Sequence, residues 1–109
     1  MQNVDPSVLK RTHSSIMLTE PVNGVVRVAT ITTSALNPKV GLTTYHPIGL
    51  YHSSIDPNTN EPFLKGDVNI GQENHVLINN LQPYLIANGK RVPPVHKDNL
   101  NLLNKEMGG

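Results

Sequence analysis

A chain of 109 residues is the length of a single domain, and its formal charge of +1 leaves no cationic footprint for nucleic acid. Only 37% of the residues are apolar, with one Phe and no Trp, so the core must be thin and assembled from scattered Val, Ile and Leu. The lack of Cys excludes disulfides and thiolate metal sites, and no apolar run nears the ~20 residues that span a bilayer. The first residues have no apolar h-region, so no signal peptide is expected.

Residues 1–20 read as an arm. Asp5, as N-cap, and Pro6 can begin a helical turn, with Val8 and Leu9 behind it to bury. Ile16-Met17-Leu18 forms a short apolar patch suited to an edge strand, and Pro21 stops it. Asn23-Gly24 then opens the best strand candidate, 25–33. There Val26, Val28 and Thr30 alternate with Val25, Arg27, Ala29 and Ile31. Both sets are largely apolar or β-branched, which predicts a central strand.

Asn37-Pro38 breaks that strand. Further short strands are expected over 40–46 and 48–55, separated by Pro47. Residues 56–62 carry two Pro, two Asn, Asp, Thr and Glu, a composition that predicts a surface loop with no ladder. A turn at Lys65-Gly66-Asp67 leads into the β-prone runs of 68–95. Within them Asn88-Gly89 carries the chain's most definite local instruction. It predicts a two-residue type I′ turn that pairs 84–87 with 90–92. Pro93-Pro94 ends the region.

From Asp98 the period changes. Leu100, Leu103 and Met107 stand at i, i+3 and i+7, which predicts a short helix capped by Asp98 and closed by Gly108. Ten residues are too few for a stable isolated helix, so it must dock on something. Short strands every 8–12 residues, with Pro and Gly between them, predict a mainly β fold. The expected architecture is a small antiparallel β-sandwich or barrel over 21–97. The N-terminal arm (1–20) and a C-terminal tail (98–109) with a short helix extend from it.

The residues point away from catalysis. There is no Gly-x-Ser-x-Gly elbow, and Asp56, Glu61, Asp67, Glu73 and Asp98 all fall in predicted turns where carboxylates are solvated. Gly66 to Gly71 lacks the Lys-Ser/Thr of a phosphate loop. His46 and His52 lie ~20 Å apart on an extended chain, too far to share a metal. His75 and His96 could join them only through the fold. No enzyme activity, cofactor or metal site is expected. One alternative is a metal or small-ligand site using His46, His52, His75 and His96. Another is a nucleic-acid-binding β-barrel with Lys90-Arg91 exposed, against which the shortage of aromatics for base stacking counts.

The two ends are the stronger functional clue. Val8, Leu9, Ile16 and Leu18 in the arm, and Leu100, Leu103 and Met107 in the tail, need covering. The expected interface therefore lies there, against copies of the chain or a larger structural protein. In layout the chain resembles small virion proteins of tailed phages, the capsid decoration or cement type. It is Cys-free, poor in charge and rich in Thr, Asn and Pro, with a β core and extended ends. That resemblance implies a location in the virion (otherwise the cytoplasm), an oligomer, and the major capsid protein as partner, while run length and net charge point to no membrane or nucleic-acid partner. Asn74-His75-Val76-Leu77-Ile78-Asn79 and Ala87-Asn88-Gly89-Lys90-Arg91-Val92 also look like fragments of the PAAR spike-tip pattern. An insertion separates them and the zinc-binding Cys is missing, so no site residues carry over.

Overall fold

The central strand forms where the alternation places it. The computed structural model describes residues 7–10, 13–33 and 44–108. Its strands are β1 (Val8–Lys10), β2 (Ser14–Met17), β3 (Val25–Thr32), β4 (Tyr45–Pro47), β5 (Ile55–Asp56), β6 (Glu61–Pro62), β7 (Asp67–Asn69), β8 (Asn74–Leu77) and β9 (Gln82–Pro83). The helix α1 (Lys97–Glu106) follows them. Among the described residues seven strands form one antiparallel sheet in the order β4-β7-β3-β2-β1-β9, with β8 also paired to β3.

β3 spans eight residues, and two shorter strands share one of its sides. β8 takes the first half, from Val25↔Leu77 to Val28↔Asn74. β7 takes the second, with Ile31↔Val68 and Thr32↔Asp67. β2 covers the other side.

Apolar residues collect on both faces of this sheet, as the two-sided pattern of β3 requires. One core joins Val8, Ile16, Leu18, Ala29 and Ile31 to Ile48, Tyr51, Val68, Leu100 and Leu103. The smaller core on the opposite face comprises Leu9, Met17, Val26, Val28 and Val76, flanked by Ile78 and Leu81. α1 closes the larger core through Leu100 and Leu103, with Met107 half-buried beside them.

The tight turns exchange roles relative to expectation. Asn23 (φ 53°) and Gly24 (φ 77°) are both left-handed, and Val22 and Val25 exchange backbone bonds of 2.8 and 3.0 Å across them. The two-residue turn with two positive φ values is therefore here. At Asn88-Gly89 only Gly89 is left-handed (φ 81°). Gly89 N donates to Ile86 O (2.9 Å) and Ile86 N to Lys90 O (2.8 Å), which makes a three-residue loop. The pairing survives as the bridge Leu85↔Arg91, but the turn type does not.

Three further expectations change. Residues 56–62 do hold a ladder, because β5 and β6 pair Ile55 with Pro62 and Asp56 with Glu61. Asp56 makes this possible: its side chain accepts from Asn58 N (2.9 Å), and left-handed Asn60 donates its N–H to Asp56 O (2.7 Å). The strand expected over 48–55 opens instead as a 3-10 turn at Ile48–Leu50. The cap of α1 is His96 rather than Asp98: its Nδ1 accepts from Asp98 N (3.2 Å), which leaves Asp98 in the first turn where a negative charge suits the helix dipole. The expected turn at Asp5-Pro6, the break at Asn37-Pro38 and residues 40–43 lie outside the described residues.

Candidate functional site

The N-terminal segment is structural framework in its described part. β1 and β2 form a hairpin that pairs onto β3, so the apolar side chains of residues 8–18 are carried into the sheet. Val8, Ile16, Leu18, Leu100 and Leu103 meet in a single core, and Leu9 enters the other. Met107 packs half-buried against the larger one. The residues expected to face a neighbour thus meet one another inside this chain. The reason is that the tight turn at Asn23-Gly24 returns the chain to pair β3 with β2, and α1 lays Leu100 and Leu103 over the same face.

The fold separates the histidines. His46, on β4, meets Tyr51 and Glu106. The Tyr51 hydroxyl donates to Glu106 Oε1 at 2.5 Å, so its oxygen accepts from His46 Nδ1 at 2.8 Å. The His46 and Tyr51 rings are near parallel, with centroids 6.4 Å apart. Burial, then the Glu106 carboxylate, pushes the Tyr51 phenol well above its ordinary range, so Tyr51 is a neutral donor tying α1 to β4. Asn99 and Asn104 add bonds from α1 to Tyr51 O (3.1 Å) and Leu18 O (3.2 Å).

His75 lies elsewhere. It donates from Nε2 to Glu73 (2.9 Å), which also takes both Nε and Nη2 of Arg27. That forked pairing, above all other causes, holds the Glu73 carboxyl below the usual carboxylate range. His52 and His96 line one cleft together. Among the described residues no group of three or more His, Asp or Glu side chains converges as a metal site.

Exposed apolar side chains are concentrated on strand ends and turns. Val22 (69% exposed) bridges Val25, and Val25 pairs with Leu77 (55% exposed). Residues directly opposite across a ladder share a face. Val22, Val25 and Leu77 therefore form an apolar row that runs from the bridge residue Val22 across β3 to β8 at the turn end of the sheet. Sequence reasoning missed this row; Asn23-Gly24 signals the turn that sets Val22 opposite Val25, but nothing local places Leu77 beside them. Nothing local announces Glu106 as a partner of Tyr51, which stands 55 residues away. Among the described residues no helix is long and apolar enough to cross a membrane. Compared with known families, characterised proteins and solved structures, the chain matches none.

Proposed function

We propose that this protein is a non-enzymatic structural component of a virion, of the decoration or cement type. In this reading it joins copies of itself to a larger capsid protein through the exposed end of its sheet rather than through free arms. The Val22–Val25–Leu77 row carries the reading, because an apolar strip lying across the turn and the ends of β3 and β8 is the surface that association would cover. Two further features support it. Among the described residues, neither β4 nor β9 has a strand beyond it, and an extended segment of a neighbour could add there. The near-neutral charge opposes self-association only weakly.

The experiment is a mass measurement in solution across a concentration series, on the parent chain and on Val22→Ser/Leu77→Ser. The parent is expected to associate and the double variant to be monomeric with an unchanged melting temperature. A parent chain that stays monomeric at every concentration and binds no capsid lattice would overturn the proposal.

A further inference from the structure

A second surface stands apart from the apolar row. Residues 51–54, which follow the 3-10 turn, face residues 94–99, which lead into α1. Between them is a cleft of about 460 Å³, within the ~300–1,000 Å³ range typical of small-molecule sites. His52 lines it and is only 3% exposed. Its Nε2 lies 2.7 Å from Pro93 O. A carbonyl oxygen only accepts, so Nε2 carries a proton, and in the neutral ring Nδ1 is then a bare acceptor. That Nδ1 is buried and has no partner. A buried acceptor left unsatisfied works against the folded state, and a bound donor removes the cost.

The remaining polar atoms define what could supply that donor. Among the described residues no Lys, Arg, Asp or Glu lines the cleft, so charge does not select the guest. Asn99 uses Nδ2 on Tyr51 O, which leaves Oδ1 to accept. Ser53 and Ser54 are exposed hydroxyls that can do either. His96 accepts at Nδ1 from Asp98 N, so its Nε2–H is a donor. A fitting guest is neutral, offers several donors close together and accepts at the same atoms. Vicinal hydroxyls have that property, whereas a peptide backbone offers one N–H per residue on alternating sides. Pro94 and the exposed His96 ring add apolar area for the C–H face of a sugar ring.

We propose that the cleft between residues 51–54 and 94–99 binds a neutral saccharide, with His52 Nδ1 as a hydrogen-bond acceptor. Nδ1 is closed to solvent as the side chains stand, so a guest reaches it only after a side-chain rotation in the cleft wall.

The test is a titration of the isotope-labelled full chain, followed by amide shifts and by the ring-nitrogen resonances of His52. Methyl glucoside, N-acetylglucosamine and maltotriose are the probes; inorganic phosphate and a blocked dipeptide amide are the comparisons. The sugars are expected to shift residues 51–54 and 94–99 together with the His52 Nδ1 signal. Ser53→Ala/Ser54→Ala should keep the parent spectrum elsewhere and weaken binding by roughly fivefold or more. His52→Leu, provided its spectrum is that of a folded chain, should abolish it. The proposal is overturned if no sugar produces shifts up to its solubility, or if the shifts fall outside the cleft. It is equally overturned if the dipeptide amide or phosphate binds and the sugars do not.

Discussion

At the scale of single residues, two polar clusters do different work. The Tyr51 hydroxyl is an intermediary: it donates to Glu106 and accepts from His46, so one buried atom links α1 to β4. Tyr51→Phe removes that link and leaves both partners short of a bond. His46 and Glu106 are partly exposed and water can reach them, so we expect a loss of about 0.5–1.5 kcal/mol, the net contribution of an ordinary hydrogen bond, measured by urea unfolding. A loss no larger than that of a surface substitution would show that the link contributes nothing. The Arg27–Glu73–His75 cluster is more exposed, and its signature is in pH rather than magnitude. Glu73 has a lower pKa folded than unfolded, chiefly because of the Arg27 hydrogen bonds. The pair therefore stabilises the fold above the ordinary carboxylate range, and that contribution disappears as pH falls through the folded value. Glu73→Gln should accordingly reduce stability at neutral pH and flatten its dependence on acid. Unfolding curves for parent and variant taken from neutral pH downward should converge at the acid end.

At the scale of elements, β3 and its neighbours depend on close backbone approach. Gly66 precedes β7 with φ +112°, and a Cβ there would lie 2.1 Å from Thr32 O, at the end of β3. The clash is with backbone, so it cannot be relieved by a side-chain rotation. Gly66→Ala should force β7 away from β3, at a cost at least as large as the ~1–3 kcal/mol of ordinary overpacking. Hydrogen exchange should show the loss first at residues 67–69, whereas uniform protection equal to the parent would refute the prediction. α1 shows the converse dependence. Its spacing of Leu100, Leu103 and Met107 was readable in advance, but ten residues hold a helix only when that stripe is buried.

At the scale of the whole molecule, β1, β2 and α1 belong to one unit. The radius of gyration, 13.5 Å, is close to the ~13 Å expected of a folded chain of about 100 residues. Leu100 and Leu103 complete the same core as Val8, Ile16 and Leu18. Deleting 98–109 should therefore unfold the domain rather than release a folded monomer. Each lost core Leu costs ~2–5 kcal/mol when cut to Ala, so losing two approaches the whole stability of a small domain. Circular dichroism would check this: a truncated chain with the parent's spectrum and melting point would mean that α1 is an appendage.

Local chemistry was enough to read the mainly β class, the central place and two-faced pattern of β3, the pairing around Asn88-Gly89 and the leucine stripe of α1. Each rests on a period or a turn residue acting over a few positions, and such preferences are carried by the residues themselves. The type of each tight turn, the ladder across Asp56 and Glu61, the union of Tyr51 with Glu106 and the destination of Val8, Leu9, Ile16 and Leu18 were decided by tertiary structure. Those outcomes depend on which surfaces meet after the chain has returned on itself. An apolar stripe specifies that it must be covered but carries no label for its cover, and here hairpin and helix covered each other.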